Sequence, residues 1–215
     1  MVPNIIHQIV GPKTNKIVDR CLLSWQQLRG HKFRFLTWND QNIEIFLGKY
    51  YPGYLPMFLN ARNHAEAADI ARYIIIFHYG GYYMDWDIQL LDKDKFLNLA
   101  ERHPNGFLLR DPRDGSIASE CFSACRNEQY LSELVEDISH QFDNRLFMGK
   151  HTLFYSGPFR MKAVLDKAVV TCQTIIDVKE VFLYDYSEIQ KMPERNNDKP
   201  LIHYWLHSWL AERSE

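Results

Sequence analysis

Apolar positions in this chain fall into short runs bounded by glycine, proline and polar clusters, and the runs change period along the sequence. Asn4-Ile-Ile-His-Gln-Ile-Val10, closed by Gly11-Pro12, reads as a buried strand and its turn. Val18, Cys21, Leu22, Trp25 and Leu28 recur at helical spacing up to Gly30. Lys32 to Trp38 alternates as a strand does, and Asn39-Asp40 offers a cap for a helix over Gln41 to Leu47. A longer helix is predicted from Asn63 to Tyr79, stopped by Gly80-Gly81. The β-prone triplet Tyr82-Tyr83-Met84 then runs into Asp85-Trp86-Asp87. Strands are expected at Gly106–Arg110, Ile117–Ala124 and Val181–Tyr184, with helices at Glu128–Phe142 and Phe159–Val170. Lys191 to Lys199 is polar and reads as a mobile loop. Leu201 to Leu210 is too aromatic for a frayed tail.

Strands alternating with helices predict an α/β fold whose mostly parallel central sheet is flanked by helices. Ligands collect at the carboxyl ends of such strands, where Asp85 and Asp87 fall. With 215 residues and neither repeat nor linker, the chain reads as a single domain over 1–215. A net charge of −2 gives no electrostatic footing for nucleic acid. No run of eighteen apolar residues occurs, so no transmembrane segment is expected. Met1 to Pro12 lacks the basic start of a signal peptide, and the four cysteines are scattered. Cys121 and Cys125 have zinc-like spacing but no second Cys/His pair, so they read as reduced thiols and the chain as cytoplasmic. Aromatic residues make up 14% of the chain, and flat rings with a polar edge suit sugar and base faces as well as cores.

Two carboxylates at i and i+2 repel unless a cation compensates. In extended backbone Asp85 and Asp87 face opposite ways, whereas a turn brings both to one ion, with Mg²⁺ or Mn²⁺ the suited metals. A solvated strand end is the plain alternative for an isolated D-x-D. Upstream, Asp69 and Arg72 are the only charges between Ala67 and Met84, on one helical face. They form either an internal ion pair or a polar contact to a ligand. His203 and His207 sit among Trp205, Ser208 and Trp209, as core histidines or as a distant metal ligand.

Five blocks in order carry a resemblance: Asn4-Ile-Ile-His-Gln-Ile, Ala68-Asp69-x-x-Arg72-Tyr73, Gly80-Gly81-Tyr-Tyr-Met-Asp85-Trp-Asp87, Ser156-Gly157-Pro158 and His203-x-Trp205-x-x-Ser208-Trp209. Together they resemble the DXD-type sugar-binding glycosyltransferases of family 32, which include yeast initiating mannosyltransferases and bacterial capsule and lipopolysaccharide enzymes. The clostridial glucosylating toxins are more distant relatives. The resemblance implies a GT-A fold with one Rossmann-like domain, a nucleotide-sugar donor (UDP before GDP), Mn²⁺ or Mg²⁺, a glycan or glycoconjugate acceptor, and retention of configuration. By position, Asp87 would bind the metal, with Asp85 and His203, and Asp85 would also meet the donor. Ser208 and Trp209 would touch the diphosphate, and Asp69 and Arg72 would hold the transferred sugar. Tyr83 and Trp86 would lie at the nucleotide, with His7, Gln8, Ile9 and Val10 ending the first strand beside it. Asp85, Asp87, Arg72 and Glu120 are the expected catalytic set. Val10 stands where the family often has Trp, His207 where a small residue is usual, and Glu120 where many relatives carry Asn. A carboxylate there would stabilise an oxocarbenium-like state or act as nucleophile. A non-catalytic sugar-binding module and a metal-dependent phosphohydrolase are the alternatives.

Overall fold

The computed structural model describes residues 1–167, 170–192 and 197–206. In chain order the elements are β1 (Ile5–Ile9), α1 (Lys16–Ser24) running into a 3₁₀ segment (Trp25–His31), β2 (Arg34–Trp38), α2 (Asp40–Tyr50), α3 (Leu55–Leu59), α4 (His64–Tyr79), β3 (Gly81–Met84), β4 (Ile88–Leu90) and α5 (Lys93–Arg102). There follow β5 (Gly106–Arg110), β6 (Ile117–Ala124), α6 (Gln129–Asp143), α7 (Thr152–Tyr155), α8 (Pro158–Leu165), β7 (Thr174–Asp177), α9 (Val178–Val181) and β8 (Leu201–His203). Local chemistry sets the starts. The side chains of Asn15, Asn39, Asn63 and Asp92 accept first-turn amide hydrogens and open α1, α2, α4 and α5.

Six strands form the main sheet in the order β2-β1-β3-β6-β5-β7. β1 is parallel to β2 and β3, β5 is parallel to β7, and β6 alone among these runs antiparallel to its neighbours β3 and β5. The sheet is therefore mostly parallel. β4 and β8 make a separate antiparallel pair. Alternation along each strand feeds two cores. Tyr83, Leu108 and Phe122 pack with Ile70, Tyr73 and Ile74 of α4 and with Leu131 and Leu134 of α6. Tyr82, Met84 and Phe107 face the other way, against Trp25, Leu28, Phe96 and Leu99. Helix α4 is buried on nearly every side from Ala68 to Ile76, which explains why apolar residues fill it around Asp69 and Arg72.

Gly80 and Gly81 permit the α4-to-β3 turn in a way no other residue could. Both have positive φ, 64° and 114°. A Cβ on Gly81 would lie 2.6 Å from the Ile5 carbonyl oxygen, so the close approach of β3 to β1 requires glycine there.

The late strand expected at Val181–Tyr184 is displaced. The strand is β7, and the Asp177 side chain accepts the Lys179 amide hydrogen to cap α9 in its place. Phe182 keeps a single bridge to Leu201. An apolar run this short does not distinguish strand from buried turn. The helix read to Leu28 is α-helical only to Ser24 and 3₁₀ beyond. The expected Lys191–Lys199 loop lies partly outside the described residues, at 193–196.

His7 is fully buried in β1. Its Nε2 is 3.0 Å from the Gly80 carbonyl oxygen, and its Nδ1 accepts the Trp38 indole hydrogen at 3.2 Å. Both contacts suit the neutral ring, and burial pushes its pKa down to about 4. Because the unfolded chain takes up this proton more readily, the contribution is complete above the unfolded value near 6.5 and is lost as pH falls towards 4. We expect about 3 kcal/mol of acid destabilisation from this group across that window. Urea unfolding of the protein and of His7→Gln at both ends of the window checks it: the variant should show the shallower pH slope.

Candidate active site

At the carboxyl end of β3 the backbone turns. The Asp85 amide donates to the Glu120 carbonyl at 2.9 Å, and the Ile88 amide reaches back to the Asp85 carbonyl at 3.0 Å. This turn breaks the extended geometry that would have separated the two carboxylates. β8 then pairs with β4 so that His203 sits opposite Ile88, one residue after Asp87. Asp85, Asp87 and His203 each offer a ligand atom, all within 4.8 Å of one another. His203 Nε2 lies 3.2 Å from Asp87 Oδ1, and the Leu206 amide donates to Asp87 Oδ2 at 2.9 Å.

Charge distribution here follows burial and partners. Burial raises the Asp85 pKa; Arg72 opposes that rise and Asp87 adds to it. Burial also works against Asp87, but His203 and the Leu206 amide outweigh it and hold its carboxyl below the usual range. His203 is raised because Asp87 more than offsets burial of the imidazolium. Its Nδ1 is buried without a hydrogen bond among the described residues, 3.8 Å from Glu120 Oε1. Burial likewise raises Glu120. Two carboxylates and one imidazole around a small gap form a hard donor set that fits Mn²⁺ or Mg²⁺. Glu120 would then orient the ligating ring from behind.

Arg72 ties this cluster to α4. Its guanidinium reaches Asp69 Oδ1 at 3.2 Å and Asp85 Oδ1 at 3.4 Å, and donates to the Ser119 carbonyl at 2.9 Å. The Tyr83 ring lies 4.7 Å beneath it, and the Tyr83 hydroxyl donates to Asp85 Oδ1 at 2.7 Å. The Ser156 hydroxyl donates to Asp69 Oδ2 at 2.9 Å, yet burial still lifts the Asp69 pKa to about 6. The two readings of the Asp69–Arg72 spacing thus meet in one object: a buried ion pair that also borders a cleft.

That cleft has a volume of about 1090 Å³. It is lined by Ile9, Asp69, Arg72, Tyr83, Asp85, Trp86, Asp87, Glu120 and His203, so most of the sequence-derived residues converge. Others do not. His7 and Gln8 are buried in β1 and do not line it, nor does Val10. For His7 the placement has a physical cause: β1 is an interior strand of the sheet, and the ring is committed to Trp38 and Gly80. His207, Ser208 and Trp209 lie outside the described residues. Two contributors lacked an assigned role in the sequence. Ser119 receives Arg72, and Trp205 lines the cleft with its ring 4.1 Å from that of His203. Trp205 belonged to a block already singled out, whereas no sequence signal marked Ser119.

Removing Arg72 leaves buried Asp69 and half-buried Asp85 without their shared cation. Arg72→Met is expected to cost about 3–5 kcal/mol in urea unfolding without added metal. Arg72→Lys should recover only part of it, since one ammonium cannot span both carboxylates. Unchanged stability in Arg72→Met would show that the pair contributes nothing to the fold.

Residues 13–102 match the family described as "Glycosyltransferase sugar-binding region containing DXD motif". Inositol phosphoceramide mannosyltransferase 1 of Schizosaccharomyces pombe is 27% identical over 196 residues, covering 85% of this chain and 57% of its own length. The chain spans a little over half the length of such curated relatives. Among solved structures, a glycosyltransferase involved in glycosylating the major capsid of PBCV-1 superposes with a TM-score of 0.55 at 15% identity, covering 98% of this chain and 97% of that one. The PaToxG glycosyltransferase gives 0.58 at 12% identity, covering 78% and 70%. The fold is GT-A. The D-x-D turn, the Asp69–Arg72 helix and the strand leading out of Gly80-Gly81 all fall inside the matched residues, so this part of the chain is similar to the sugar-binding region of the DXD-type glycosyltransferases.

Proposed function

We propose that this chain transfers a hexose from a nucleotide diphosphate sugar to a hydroxyl group of a glycoconjugate, with retention of configuration. The observation that carries the reading is the convergence of Asp85, Asp87 and His203 on the cleft that Asp69 and Arg72 border. Asp85, Asp87 and His203 would hold Mn²⁺ or Mg²⁺, which when bound neutralises charge on the diphosphate leaving group. Arg72, held in place by Asp69, Asp85 and the Ser119 carbonyl, would donate hydrogen bonds to oxygens of the transferred sugar. Asp69, anchored by Ser156, accepts hydroxyl hydrogens from that sugar. Glu120 faces the cleft and would stabilise developing positive charge at the anomeric carbon or attack it. Trp86, whose ring lies against Gly11, borders the nucleotide together with Ile9. Ser208 and Trp209 complete the proposal as diphosphate contacts.

The printed name of the fission-yeast relative makes mannose the first sugar to try and an inositol-phosphate lipid the first acceptor. A cytoplasmic setting belongs to the same proposal, supported by four cysteines that remain free thiols.

Calorimetric titration of UDP and GDP with and without Mn²⁺, repeated on Asp87→Ala, tests the site. We expect Mn²⁺-dependent binding of one nucleotide that disappears in the variant. Failure of both nucleotides under every metal would reject the transferase reading and favour a binding module. For Glu120, the expected loss of turnover in Glu120→Gln is at least about a hundredfold. Near-normal turnover would remove it from the mechanism.

A further inference from the structure

The chain from Asn144 to Leu165 contains no Asp or Glu, yet holds Arg145, Lys150, Arg160 and Lys162. Along it, three large apolar side chains stand in solvent: Leu146 is 49% exposed, Met148 67% and Phe154 52%. Arg160 and Lys162 are paired with Asp137 and Asp166, outside the segment. Lys150 meets only the neutral Gln141 side chain among its described partners, and Arg145 is exposed beside Leu146. The segment is held in place from beneath. Arg62 donates to the Lys150 carbonyl at 2.6 Å, and its guanidinium lies over the rings of Phe147 and Tyr155. It also reaches the cleft. Phe154 stacks on Phe159 at 4.7 Å and 9°, and Phe159 lines the cleft with His151 and Leu153.

A rim that exposes Leu, Met and Phe beside Arg145 and Lys150, with Asp143 at its edge, has the chemistry of an interfacial segment. We propose that residues 144–154 seat the protein on an anionic lipid bilayer, placing the cleft mouth where a lipid headgroup can enter. A bilayer rather than a protein partner is favoured because the apolar tips and the cations share one turn, so tips reach acyl chains while Arg145 and Lys150 meet headgroup phosphates. The inference rests on the proposed transferase site only for its purpose, since membrane seating is measurable without turnover.

Co-sedimentation with vesicles of phosphatidylcholine, with and without phosphatidylinositol, tests it. Binding is expected to the anionic vesicles and to weaken with salt. Leu146→Asp/Met148→Asp should reduce it at least about tenfold. Each of Arg145→Gln and Lys150→Gln should reduce it about fivefold on anionic vesicles alone. Titration of UDP and GDP with Mn²⁺ runs alongside on the same variants, and binding there should be unchanged. Nucleotide binding without vesicle binding overturns the seating and leaves the transferase site standing; vesicle binding without nucleotide binding does the reverse. If the protein elutes as a dimer that Leu146→Asp/Met148→Asp converts to a monomer, with no vesicle binding, the patch is an interface between copies and the proposal is wrong.

Discussion

Crowding of carboxylates at one end of a buried strand is the constraint around which the molecule is organised. Asp69, Asp85, Asp87 and Glu120 all border one cleft, and their mutual repulsion is strongest where water is scarce. Arg72 and His203 answer it from different directions. Arg72 comes from the middle of α4 and reaches two of the acids; His203 comes from β8, far along the chain, and reaches the other two. Neither would be tolerable in its place without the acids, since each is buried. The consequence for packing is that α4 must lie flat against the sheet with Arg72 under the β3 end. Tyr83, Ser119 and Ser156 fix that register by hydrogen bonds and ring contact.

The reversed strand β6 is what closes this arrangement. The parallel strands β1, β3 and β5 deliver their carboxyl ends to the cleft, as Ile9, Asp85 and the Asp111–Arg113 turn. β6 runs the other way and delivers its beginning instead. Ser119 and Glu120 therefore enter the site beside Asp85, and the Glu120 carbonyl terminates β3 by taking the Asp85 amide. A wholly parallel sheet would have brought a strand end there and lost that hydrogen bond.

Much of this was legible in the residues, and the limits of legibility have physical causes. Local signals were strong wherever a single physical rule acted: asparagine caps, the glycine pair stopping α4, and the apolar β3 leading into the D-x-D turn. The i, i+3 spacing of Asp69 and Arg72 was enough to foresee a shared face, but not that Arg72 would also reach Asp85 across the sheet. His7 shows the opposite case. Its position in a block near the first strand suggested ligand contact, whereas alternation in an interior strand turns the ring towards Trp38. Ser119 accepts from Arg72 through its backbone carbonyl and more weakly through its hydroxyl, and neither contact across the sheet is marked by local spacing. β4 and β8 escaped because three-residue strands carry no period, and their pairing is decided by the ends of distant segments.

β8 is short, and it is the element that brings His203 to Asp87 across more than a hundred residues of intervening chain. Any cation shared by these two side chains acts as a clasp on that long loop, and closure of a long loop removes much of the freedom of the unfolded chain. Occupancy of the site and cohesion of the fold then become one equilibrium. The protein is most firmly assembled when it is charged for reaction, and its carboxyl-terminal strand has least reason to stay docked when it is not.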